Sequence, residues 1–275
     1  MITKQKIYEL ANKHNYLADI PFLFEQNIWE YDIKQANISA LRAFDRIDED
    51  NYHRLSLVPK MQREIEIGKM IRDDKSIGDI IKRGISEAKR ELIKSLVDTN
   101  KSIEILRIAN DAIYFINPYS PTIETDFHVT ISTGNNILFK QKSHYNYYIN
   151  FKVNNILVFI YNGSYDYYVE VKGISDDKLE LHKDYFMKFI CDIITTYEKA
   201  GKSYTVIEFN RFYESYLKRK LPIEYYREFN SSSCYRIITS SETFLLSSPP
   251  PDINVIDINF NLRLLRILYS YLLSA

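Results

Sequence analysis

Two aspartates stand inside stretches that otherwise read as apolar strands, Asp32 within residues 29–39 and Asp111 within residues 105–116. A buried carboxylate without a partner is costly, so packing alone does not account for either. Brought side by side in one sheet, the two would form a site for a divalent cation and for the phosphoryl chemistry such an ion supports. Asn110-Asp111, lying between two apolar runs, also reads as a hairpin tip, which would make Asp111 a turn residue.

The elements around them follow from periodicity. Residues 3–17 read as a short helix, residues 40–44 look helical, and residues 45–51 form a polar run. Residues 59–72 read as a helix with Pro59 in its first turn and with Lys60, Arg63, Lys69 and Arg72 along it. Residues 77–98 carry the clearest apolar stripe, Ile81, Ile85, Ala88, Leu92 and Leu96, with Lys82, Arg83, Lys89, Arg90 and Lys94 on the remaining surface. Gly84 sits beside that stripe, where it allows close packing on a sheet. Residues 127–172 alternate as an antiparallel meander. Residues 177–200 return to helix, with Gly201 as the expected stop. Residues 205–220 look helical, and the Leu-rich tail from Phe260 must bury itself in the core or against a partner.

The order of strand with Asp, helices, long helix, and strand with Asp resembles the palm of template-dependent DNA polymerases of families A and B. Tyr31-Asp32-Ile33-Lys34-Gln35-Ala36-Asn37-Ile38-Ser39 is similar to the first palm motif, and Ile108-Ala109-Asn110-Asp111-Ala112-Ile113-Tyr114 to the last. The helix of Gly84 to Ile93 resembles the palm helix between them. The resemblance covers residues 28–117. It implies a compact nucleotidyltransferase in which Asp32 and Asp111 hold two Mg²⁺ ions. It further implies that Lys60, Arg63 and Lys69 bind the incoming dNTP, with primer-template DNA as partner.

The implied fold is α+β (α/β in the broad sense), with a palm-like antiparallel sheet and helices in residues 1–126. A β meander and C-terminal helices follow in residues 127–275. Family B has an acid two places before the last aspartate, and Ala109 stands there; family A has one just after it, and Ala112 stands there. A catalytically inactive, partner-binding subunit of a replication or viral complex, docking through the Leu-rich tail, is therefore the alternative.

A second alternative is a metal-dependent nuclease centred on Glu170 and Lys172, from the Glu-x-Lys ending of a strand; a surface Glu–Lys pair across strands is the plainer reading. His14, His53, His128, His144 and His182 show no ligand spacing, and the clusters Tyr145-Tyr147-Tyr148 and Tyr165-Tyr167-Tyr168 suit half-buried strands better than base stacking.

Lys+Arg and Asp+Glu both number 36, so the chain exerts no global pull on nucleic acid or anionic membrane, and phosphate binding must rest on a local patch. With only 7 glycines there is no Gly-rich phosphate loop. Cys191 and Cys234 lack metal spacing and read as reduced thiols. The sequence offers no signal peptide and no bilayer-spanning stretch, which leads to the expectation of a cytoplasmic protein without membrane contact.

Overall fold

A computed structural model describes residues 9–10, 13, 15–99, 103–117, 126–151, 157–162, 167–229, 235–238, 243–250 and 252–274. The chain is α+β, built from antiparallel sheets and helices, and falls into two compact units. Unit 1 comprises Met1–Ile20 and Glu25–Tyr145; unit 2 comprises Pro21–Phe24 and Asn146–Ala275. The boundary expected at 126–127 therefore falls inside unit 1.

Unit 1 holds strands β1 (Asn15–Leu17), β3 (Ile28–Ile33), β4 (Glu104–Ala109), β5 (Ala112–Ile116), β6 (Asp126–Thr130) and β7 (Asn136–Tyr145). They form one antiparallel sheet in the order β1-β4-β5-β3-β7-β6. Its helices are α1 (Ala36–Ala43), α2 (Glu49–Leu57), α3 (Lys60–Asp73) and α4 (Ser76–Thr99). Strand alternation sends Tyr31, Ile33, Ile113, Phe115, Ile137 and Phe139 into one core, where Ala88, Leu92 and Leu96 of α4 meet them. A second core beneath α1–α4 gathers Ile38, Leu41, Leu55, Ile67, Ile77 and Ile81.

Several expectations are corrected. Asn15–Leu17 pairs with β4 as a strand instead of continuing a helix. The apolar run after Asp32 stays extended only to Ile33, because Gln35 turns the chain in a left-handed conformation and α1 begins. The polar run 45–51 enters α2, since Asp48 caps that helix by accepting from the Asn51 N–H. Gly84 packs closely against a helix, not the sheet: a Cβ there would lie 2.7 Å from the Cβ of Ala40 in α1.

In unit 2, β10 (Tyr167–Lys172), β9 (Leu157–Asn162), β8 (Tyr147–Asn150) and β2 (Phe22–Leu23) form a four-stranded sheet. The expected meander is thus divided, β6 and β7 joining the first sheet and β8–β10 the second. Helices α5 (Asp176–Glu180), α6 (Lys188–Leu217) and α7 (Asn259–Ser274) and the ribbon of β11 (Tyr235–Ile238) and β12 (Thr243–Leu246) complete the unit. Gly201, at φ 76 and ψ 173, breaks α6 where a stop was expected. The Leu-rich tail is α7, whose Leu264, Leu265, Leu268 and Leu272 lie in the unit's own core with Phe209 and Ile190. Among the described residues no helix is long and apolar enough to cross a membrane.

Two consequences are measurable. Gly84→Val forces a side chain into the contact with Ala40 and is expected to destabilise the protein by about 2 kcal/mol in denaturant titration. His182, buried against Phe229, has its pKa pushed down to about 4 by burial and by the neighbouring Arg227 charge. Because the unfolded chain takes up the proton first, stability is intact above the ordinary value of 6.5 and is lost as pH falls toward 4. The loss reaches on the order of 3 kcal/mol, and His182→Phe should flatten that segment of the stability–pH curve.

Candidate functional site

The first aspartate sits one residue before the end of β3, and the second in the two-residue tip that joins β4 to β5. Asp111 is therefore a hairpin-tip residue and not a strand residue, and the hairpin lies beside β3. Asp32 is registered with Ala112, and the Ile33 N–H donates to the Asp111 carbonyl at 3.2 Å. On the same sheet face, Asp32 has Ala112 and then Ala109 on one side and the exposed Lys140 on the other. The two alanines leave room beside the carboxylate.

Glu30 and Asp32 share that face, and their surroundings differ sharply. Glu30 is buried and accepts hydrogen bonds from the Tyr114 hydroxyl at 2.7 Å and the Tyr145 hydroxyl at 2.5 Å, with the Lys142 ammonium at 3.6 Å. Asp32 has its Oδ1 buried with no hydrogen-bond partner among the described residues. Burial first, and then the Asp111 charge, push its pKa up to about 6; Glu30 adds to the rise, and Lys142 and Lys60 oppose it. Native structures rarely leave a buried carboxylate oxygen without a donor, and a water, an ion or a strained position accounts for those that do.

Beside Asp111 opens a cavity of about 800 Å³. Lys13, Lys60, Lys82 and Lys89 line it together with Asp111, Glu64, Asn37 and Ser86. Lys60 lies at the start of α3, and its neighbour one turn on, Glu64, accepts from the Asn37 amide at 2.9 Å. Of the three cations expected to bind nucleotide, only Lys60 lines the cavity. Lys69 is exposed and nine positions along, about half a revolution away at 100° per residue. Arg63 is partly buried away from the cavity wall.

Lys89, expected on the solvent side of α4, is 1 % exposed. Its ammonium donates to the Asn110 carbonyl at 2.7 Å, and burial lowers its pKa to about 8 against the opposing pull of Asp111. The signal was positional: Lys89 lies one turn from both Ile85 and Leu92, at the edge of the apolar stripe. Gln35 and Ser39, which carried part of the motif resemblance, serve the strand-to-helix turn, the Gln35 amide donating to the Ser56 carbonyl and the Ser39 hydroxyl to the Lys34 carbonyl.

The remaining candidates fall elsewhere. Lys172 donates to Glu170 within β10, a same-strand pair and not a cross-strand one, and Phe159 and Leu157 stand opposite the two in register. Tyr145, Tyr147 and Tyr148 are buried, whereas Tyr168 is exposed; Tyr165 lies outside the described residues. His53 and His128 are exposed, and His144 stacks on Trp29. Cys191 is partly buried in α6; His14 and Cys234 lie outside the described residues. Among the described residues no three His, Cys, Asp or Glu side chains cluster as a metal site, so any ion here would rest on two carboxylates.

None of the curated proteins matches the chain. A family model does match, and it overturns the polymerase resemblance: it covers residues 2–273, against the 28–117 of the motif likeness, and it is not a polymerase family. The chain belongs to the family described as bacteriophage PBS1 gene 130 protein.

Proposed function

We propose that unit 1 of this phage protein carries a Mg²⁺-dependent phosphoryl-transfer site with Asp32 and Asp111 as the protein's metal ligands. The observation that carries the reading is the contrast on β3: Glu30 is saturated with donors, whereas Asp32 keeps a buried oxygen without one beside a second carboxylate. A hard cation satisfies that oxygen and relieves the repulsion between the two acids. Mg²⁺ is commonly held by one or two carboxylates, with water and substrate phosphate completing its shell, so a two-acid set is sufficient.

When bound, the ion would supply Lewis-acid stabilisation of charge on the phosphate. The chain's own contribution is orientation and charge. Lys60, Lys82 and Lys13 line the cavity next to Asp111 and suit a polyphosphate, with a nucleoside triphosphate as the substrate class. Lys89 holds the hairpin tip through Asn110, and the Asn37 amide donates to Glu64 on the wall of the same cavity.

Isothermal titration with Mn²⁺ or Mg²⁺ should show binding that Asp32→Asn and Asp111→Asn each weaken by at least about tenfold. Metal-dependent release or transfer of phosphate from a nucleoside triphosphate should fall on the order of 100-fold in the same variants, while Lys60→Ala raises KM more than it lowers kcat. Metal affinity unchanged by both aspartate substitutions would overturn the reading.

The same site predicts a stability gain on losing function. Asp32 binds its proton more tightly folded than unfolded, so the fold bears a penalty that grows as pH rises from 3.8 to about 6 and is full above it. Discounted for partial solvent access, Asp32→Asn should stabilise the metal-free protein by about 1 kcal/mol at pH 7.5. At pH 3.5 the difference from the wild type should vanish, as denaturant titrations at the two pH values would show.

A further inference from the structure

Lys89 is packed the way a bound ion is packed, not the way a surface lysine is. It is 1 % exposed, and its ammonium is fixed at 2.7 Å from the carbonyl of Asn110, the residue directly before Asp111. Asn110 turns in the left-handed region, at φ 48, and its N–H donates to the Asn15 side chain. Both backbone groups of the tip are therefore tied, and Asp111 is kept beside the lysine charge. Asp111 pulls the lysine pKa upward against burial, and at about 8 the side chain is mostly a cation at pH 7. Cations face Asp32 as well, since the charges of Lys142 and Lys60 both oppose the rise in its pKa. The acids that would widen the ligand set are already engaged. Glu30 accepts from two tyrosine hydroxyls, with Lys142 at 3.6 Å, and Glu64 accepts from Asn37 at 2.9 Å.

We infer that the site takes one divalent ion per chain, and that the Lys89 ammonium holds the electrostatic place that a second ion has in a two-metal centre. The inference rests on the phosphoryl-transfer reading above and narrows it. Two-metal centres keep their ions roughly 3.5–4 Å apart, which requires enough anionic ligands around them to offset the mutual repulsion. Here two carboxylates are present, and a fixed ammonium already stands beside one of them. A second divalent ion would meet the repulsion of Lys89, with no third acid clustered there among the described residues to offset it. One ion and Lys89 together exceed the two carboxylates by a single positive charge. That excess favours a triphosphate, and Lys60, Lys82 and Lys13 on the cavity wall add to it. The ammonium comes with the fold and needs no free metal to fill its place. Lys89 is thus a positioning residue that acts through its charge as well as through the hairpin tip.

Titration of the full chain with Mn²⁺, followed by electron paramagnetic resonance and calorimetry, tests the count. One ion per chain is expected, both alone and with one equivalent of a nucleoside triphosphate analogue carrying a methylene bridge between its α- and β-phosphorus atoms. The bound ion should give the spectrum of an isolated Mn²⁺. Lys89→Gln keeps a donor for the Asn110 carbonyl and removes the charge. It should bind Mn²⁺ at least about threefold more tightly and admit a second ion when the analogue is present. A lysine that serves only to hold the tip would leave the affinity unchanged or lower it. No Mn²⁺ binding, or binding that neither Asp32→Asn nor Asp111→Asn weakens, would overturn the phosphoryl-transfer reading and this inference with it. Two ions per wild-type chain, a spin-coupled Mn²⁺ pair, or unchanged or looser binding in folded Lys89→Gln would overturn the inference alone. The wild-type count decides the matter even where Lys89→Gln does not fold.

Discussion

The register of β3 governs unit 1. This strand is paired on both sides, to β5 and β7, and its alternate residues serve opposite needs: Tyr31 and Ile33 enter the apolar core, while Glu30 and Asp32 face the other way. A slip of one residue would exchange the two sets and drive both carboxylates into the core. Glu30 pins the register against that slip. Its carboxylate is satisfied by Tyr114 from β5 and Tyr145 from β7, one hydroxyl from each neighbour, and only this alignment brings both within reach. The irregularity in the β3–β7 pairing falls between Glu30 and Tyr31, beside the pin. Asp32 inherits its position from Glu30.

Position and electrostatics then pull against each other. The β4–β5 hairpin, held by Lys89 at the Asn110 carbonyl and by Asn15 at the Asn110 N–H, sets Asp111 next to an acid that already lacks a donor. A buried lysine is an expensive way to satisfy one carbonyl, since a neutral donor would do the same at lower desolvation cost. What the lysine adds is positive charge near Asp111, which the pull of Asp111 on its pKa reflects. The fold thus compensates one carboxylate from the helix side and leaves the other raised to about 6. In the site proposed above, that imbalance is what a bound cation would relieve.

Much of this was legible from the residues, and the parts that were not share a physical cause. The long helix around residues 77–98, the helix after Pro59, the stop at Gly201, Asp32 in its strand and Asn110-Asp111 as a hairpin tip are all local signals of period, breaker or charge, and the structure keeps them. The errors concern partners distant in sequence. Nothing local distinguishes Asn15–Leu17 as a strand, because β4, about ninety residues away, makes it one. The alternation of residues 127–172 is genuine, yet periodicity does not state which sheet each strand joins, so the division after Tyr145 was invisible. Lys89 was read as solvated by residue type, although its place at the edge of the apolar stripe already pointed inward. The α7 stripe was seen, but whether its own core or a partner covers it is a tertiary question, answered by Phe209 and Ile190.

The match to a phage family over residues 2–273 also shows why the motif likeness misled. A strand that delivers a carboxylate to its end, a tight turn and a helix are joined by the same local rules wherever they occur. Gln35 takes the left-handed conformation to make the corner, and Ser39 closes it on the Lys34 carbonyl. Residue types selected for that corner need not signal shared ancestry, for any chain making the turn faces the same steric and hydrogen-bonding demands. Family membership is carried by the whole chain, whereas chemistry is carried by a few atoms and their surroundings. For Asp32 those surroundings are two alanines that leave space, a second acid that repels, and a buried oxygen that no described residue satisfies.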